Sequence, residues 1–120
     1  MIIDSLLNDL VNTVDGATGA ILLEADGEAV RWHSPDGDRL RLRGAYVALV
    51  LKSCRASAVR EILGGLNFLI LAYDGASFVA QEINRDCVVV VELASKANVA
   101  QAIFQINPSV EKLRREIDPQ

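Results

Sequence analysis

Residues 65–94, GLNFLILAYDGASFVAQEINRDCVVVVELA, leave few architectures open to this chain. Residues 66–73 form an apolar run with aromatics, closed by Asp74-Gly75, a two-residue turn whose glycine tolerates positive φ. Residues 77–83 alternate back, Asn84-Arg85 turns the chain again, and 87–93 contain four successive valines. The pattern predicts three strands in an antiparallel meander. Successive side chains of a strand point to opposite faces. Leu66, Phe68, Ile70 and Ala72 fall on one face of the first strand, and Leu69, Leu71 and Tyr73 on the other. Both sets are apolar, so helices must cover both faces. An apolar strand ending a meander is also an aggregation hazard, which pairing with a twofold mate removes.

The rest of the chain supplies the cover. Ile2, Ile3, Leu6, Leu7, Leu10, Val11 and Val14 recur at helical spacing until Gly16 stops the run. Residues 19–25 and 28–33 read as a hairpin about Asp26-Gly27. Residues 34–38, SPDGD, are a turn. Asp36 and Asp38 lack the further ligand positions and closing glutamate of a calcium loop, so no metal is expected there. A single helix is expected over 41–63, ended by Gly64-Gly65. Val47, Val50, Leu51, Cys54, Ala58 and Ile62 form one apolar face, extended by Ala45, Tyr46, Leu49 and Leu63. One sheet cannot cover so wide a surface, and a second copy of the chain is the expected cover. A helix over 97–106 follows the meander, with Asn107-Pro108 opening a separate segment striped by Val110, Leu113 and Ile117, and a frayed tail at 118–120. No internal repeat or low-complexity tract interrupts this order.

At 120 residues the chain is long enough to fold as one domain, 1–120, without disulfides or metal. Its 51% hydrophobic content points to apolar surface buried against a partner. No apolar run approaches the length of a membrane span and no signal sequence opens the chain, so a cytoplasmic location is expected. The formal charge of −4 is unevenly spread. Six acids and no base precede Arg31, whereas Arg39, Arg41, Arg43, Lys52, Arg55 and Arg60 occur without an acid among them. Such a patch fits an acidic protein partner better than nucleic acid, because the chain is acidic overall and Tyr46 is the one aromatic within the patch.

Catalytic chemistry is hard to find. His33 is the only histidine and lacks a companion base or metal ligand. Cys54 lies in an apolar helix face, Cys87 opens an apolar strand, and neither has a second ligand at metal spacing. Ser53 and Ser57 lack a positioned base, and the glycine pairs lack the lysine of a phosphate loop. The chain reads as a non-enzyme without a cofactor.

Three passages carry a family likeness: TGAILLEADGEAVRW, AYVALVLKSCRASAVREILGG and DCVVVVELASKANVAQAIF. With the order helix, two strands, helix, three strands, helix, the chain resembles the roadblock family, named for a dynein light chain and including bacterial MglB-like regulators of small Ras-like GTPases. The loop at 34–38 and Pro108 depart from the family pattern. The resemblance implies an α+β fold with a five-stranded antiparallel sheet in the order 2-1-5-4-3, the second helix on one face and the first and last on the other. It also implies a homodimer through paired second helices and edge strands. The interface residues would be Tyr46, Val50, Cys54, Ala58, Phe68, Leu69, Ile70 and Leu71. A small Ras-like GTPase would meet Arg43, Val47, Leu51, Lys52 and Arg55, with no arginine distinguishable as a catalytic finger. The alternative is a dimeric structural or sensory adaptor without a GTPase, which an enclosed apolar ligand pocket would favour.

Overall fold

A computed structural model describes residues 2–117; the tail expected at 118–120 lies outside the described residues. The elements are α1 (Ile2–Thr13), β1 (Ala17–Glu24), β2 (Ala29–His33), α2 (Gly37–Cys54), α3 (Ser57–Leu63), β3 (Leu69–Ala72), β4 (Ala76–Glu82), β5 (Cys87–Ala94) and α4 (Val99–Ile117). The five strands form one antiparallel sheet in the order β2-β1-β5-β4-β3, as expected.

The alternation of β1 and β5 divides the core in two. Leu22, Val89, Val91 and Leu93 face α1 and α4, where Leu7, Leu10, Ile106, Val110 and Leu113 meet them. Ile21, Leu23, Val88 and Val90 face α2 and pack against Leu40, Val47, Ala48 and Leu51. Each fully buried leucine or isoleucine contributes about 2 kcal/mol of apolar transfer, and the valine-rich centre of the sheet is buried against helices on both faces. Gly44 lets α2 lie close on β1: a Cβ there would stand 3.1 Å from Ile21 Cγ2.

Three expectations need correction. The helix expected over 41–63 begins earlier and breaks. Ser34 Oγ accepts the Asp36 N–H, and the Asp36 carboxylate accepts the Arg39 N–H at 3.1 Å, so the turn-like sequence at 34–38 is in part the N-cap of α2. At the other end Ala56 is extended, with φ −55° and ψ 144°, and separates α2 from α3. The Arg55 guanidinium beside the break donates to the carbonyls of Asn84 and Arg85 and pairs with Glu82 at 3.3 Å. These tertiary contacts outweigh the helix-forming composition at 55–56, and the chain resumes as helix from Ser57. The last helix, in contrast, is continuous, and Pro108 lies inside it rather than opening a second segment. Buried Ile106, Val110 and Leu113 on either side hold the turn together against the lost backbone hydrogen bond. Finally, β3 is four residues long instead of the expected 66–73; Leu69 pairs with Ala80, and residues 66–68 approach as coil from α3.

Candidate functional site

The outer surface of α2 is built by the same periodicity that buries its inner one. Leu40, Val47, Ala48 and Leu51 point at the sheet, which turns Leu42, Tyr46, Leu49 and Val50 outward, Tyr46 being 64% exposed. Beside this band the β3–β4 hairpin carries Tyr73 and Phe78, whose rings meet edge-on with centroids 6.2 Å apart. Between helix and hairpin runs a groove of about 540 Å³, walled by Tyr46, Leu49, Val50, Tyr73 and Phe78, with Arg43 as the only charged lining residue among those described. β3 pairs with β4 alone among the described residues, so its other edge carries unpaired backbone donors and acceptors. An apolar helix face, a groove and an open strand edge are therefore continuous.

Most of the basic patch is tied down from within. Glu92 on β5 faces α2 and is 2% exposed. It accepts Thr18 Oγ1 at 2.7 Å and Arg43 at 2.9 Å, with Arg39 at 3.7 Å. A carboxylate so buried persists only because these groups hold it. Arg41 pairs with Asp38 and covers the Trp32 ring at 4.7 Å. Arg55 and Arg60 converge on Glu82. Lys52 is exposed, with no ion pair among the described residues.

The expected partner set is thus only partly at the surface. Val47 and Leu51 are 3% and 1% exposed and belong to the core beneath α2, a correction that follows from their position on its sheet-facing side. Arg43 is half-exposed, Lys52 is exposed, and Arg55 is mostly buried by its contacts to the β4–β5 turn. Of the expected interface residues, Tyr46, Val50, Phe68 and Ile70 are exposed, and Cys54 is half-buried at the end of α2. Leu69 and Leu71 turn inward against the α2 side of the core. Ala58 lies on α3, beyond the break, and so does not share a helical face with Val50 and Cys54.

Glu92 was missed in the sequence because it ends a valine run. The available signal is its alternation with Val88 and Val90, which puts a lone acid on the α2 side opposite the arginines. Chemistry elsewhere is sparse. His33 is exposed at the end of β2. Burial, reinforced by Asp86 and Glu24, pushes the Cys87 thiol above its ordinary range, which disfavours the nucleophilic thiolate. Glu24, Asp26 and Glu28 offer carboxylate oxygens within 4.8 Å of one another, all at the exposed β1–β2 turn. No helix among the described residues is long and apolar enough to cross a membrane.

No family model matches the sequence, and no curated protein matches it. Solved structures do. MglB of Myxococcus xanthus superposes with a TM-score of 0.83 at 10% identity, covering 100% of this chain and 98% of that one. A Roadblock/LC7 domain from Streptomyces avermitilis gives 0.80 at 20% identity, over 95% and 96% of the two chains. The gliding protein MglB from Thermus thermophilus gives 0.77 at 15% identity, over 92% and 84%. Likeness of backbone at such low identity speaks for architecture: with Roadblock/LC7 and MglB proteins as its structural neighbours, this chain has the roadblock fold.

Proposed function

We propose that this protein is a cytoplasmic, non-enzymatic homodimeric regulator that binds a small Ras-like GTPase through the α2 helices of its two copies. The observation that carries the reading is the uncovered apolar band of α2, continuous with the open edge of β3. Large apolar side chains beside an unpaired strand edge are what a twofold interface buries. The roadblock resemblance supports a regulator of small GTPases, and one MglB neighbour has been solved in a tetrameric arrangement. In the dimer, Tyr46, Val50, Phe68 and Ile70 supply apolar contact. Arg43 and Lys52 face the acidic surface of the GTPase, and Arg55 anchors the end of the platform.

Light scattering at micromolar concentration tests the dimer, and a monomer would sink the proposal. Tyr46→Asp with Val50→Asp should give monomers without unfolding, because both side chains are exposed. Leu69 is unsuitable for that purpose, since its side chain packs into the core. Capture of partners from lysate, in parallel with GDP and with a non-hydrolysable GTP analogue, tests the second half. A small GTPase retained in one nucleotide state and lost on Lys52→Glu supports it, and faster GTP hydrolysis by that partner would add activation to scaffolding. A second reading, an adaptor or sensor without a GTPase, draws on the apolar groove between α2 and the β3–β4 hairpin. Absence of any GTPase under both nucleotides would favour it.

A further inference from the structure

A second hollow, of about 440 Å³, lies where α2 gives way to α3. Four of its lining residues are basic: Lys52, Arg55, Arg60 and Arg85. Arg55 forms the floor, only 11% exposed, with its guanidinium fixed on the Asn84 and Arg85 carbonyls and on Glu82. Arg60 leans on the same Glu82 oxygen at 3.5 Å. The lining itself carries four cations and no acid, and Glu82 is the one carboxylate that pairs with any of them, in a chain whose total is −4. Lys52 and Arg85 are exposed, and neither has an acidic partner among the described residues.

We infer that this hollow binds a small anion carrying a diphosphate group, free or as the tail of a nucleotide. Charge selects a multivalent ligand, and guanidinium forks match phosphate oxygens in pairs. The neighbourhood selects a short one. Across Ala25 a third hollow is lined by Glu24, Asp26 and Asp86. A nucleic-acid backbone extended past the basic residues would meet those carboxylates, whereas a diphosphate ends before them. Arg55 is pre-positioned by the β4–β5 turn, where the Asn84 side chain accepts the Asp86 and Cys87 N–H groups at 2.8 and 2.9 Å, so its ordering precedes binding.

The inference stands without the GTPase reading, because it is tested on the purified protein alone. Isothermal titration at fixed ionic strength would compare pyrophosphate, a nucleoside diphosphate and sulfate. The expected result is saturable binding at one site per chain for the first two, with sulfate at least tenfold weaker. If pyrophosphate alone binds, the ligand is the free anion; if the nucleoside diphosphate binds more tightly, the nucleotide is the source. Lys52→Ser with Arg85→Ser removes two exposed charges and should weaken binding at least tenfold. Lys112→Ser with Arg115→Ser changes net charge equally on α4 and should leave binding intact. Equal losses in the two variants, or a response that never saturates, would overturn the inference.

Discussion

Replacing Arg43 by Met should cost about 2 kcal/mol of folding stability, and adding Glu92→Met should remove most of that loss. The magnitude follows from the geometry under α2. The Glu92 carboxylate is 3% exposed and accepts a charged hydrogen bond from Arg43 at 2.9 Å. Hydrogen bonds to charged groups contribute about 1.5–3 kcal/mol, and stripping one partner from a fully buried pair costs about 3–5 kcal/mol. Two features lower the figure here. Arg43 is itself 38% exposed, so water already screens it. Thr18 at 2.7 Å and Arg39 at 3.7 Å would still hold the carboxylate. The double variant contains no buried charge and fills similar volume, so it should lie within about 1 kcal/mol of the parent. Urea unfolding followed by Trp32 fluorescence and circular dichroism, at one protein concentration, measures all four corners of the cycle. At roughly 4 °C per kcal/mol, the single variant should also melt several degrees lower. A loss below about 0.5 kcal/mol for Arg43→Met, or strict additivity in the double variant, would refute the idea that Glu92 depends on Arg43.

Gly16 has φ +84°, and a Cβ there would stand 2.5 Å from Ala97 Cβ, so Gly16→Ala should lose about 2–3 kcal/mol in thermal melts. A loss under about 1 kcal/mol would mean that the α1–β1 corner shifts freely. Pro108→Ala restores a helical N–H within α4 and should gain about 1–2 kcal/mol, the unfolded chain's extra freedom offsetting part of the benefit. A loss in the same urea assay would show that the proline bend is needed for packing. For Cys87 the sign is set by its raised folded-state value: the unfolded thiol ionises first, so stability should fall as pH rises above about 8.5 until the folded thiol ionises too. Cys87→Ser should flatten that part of the profile, and an unchanged slope would assign it to other groups.

How far the sequence could be read depended on whether its signals were local. Hairpin turns at Asp26-Gly27 and Asp74-Gly75, and the unbroken apolar run of 87–91 that marks a strand covered on both faces, are written within a few residues, and the strand order follows the expected one. The break after Cys54 is not local. No glycine or proline marks it, and it goes with what Arg55 finds on a turn some 30 residues away. Continuity through Pro108 likewise depends on what Ile106 and Val110 touch, which outweighs a single proline. The candidate surface divides the same way. Tyr46 and Val50 could be assigned outward, but Val47 and Leu51 required knowing which face of a nearly all-apolar helix meets the sheet. Glu92 required the pairing of β5 with its neighbours and the placement of α2 above it.

The short helix α3 has a further consequence for motion. It contributes no buried side chain, and Ile62 and Leu63 are 81% and 78% exposed. Apart from its covalent ends, α3 is tied to the sheet by Arg60, which pairs with Glu82 at 3.5 Å beside the Arg55 anchor. Segments with so little buried apolar contact open well below the free energy of global unfolding. Residues 57–65 should therefore behave as a separate opening unit, exchanging amide hydrogens far faster than β5 and offering the first site for limited proteolysis. This unit leads directly into β3, the strand with one free edge, and its near end borders the basic hollow. The stretch of chain that joins the two exposed surfaces is thus only lightly bound to the core.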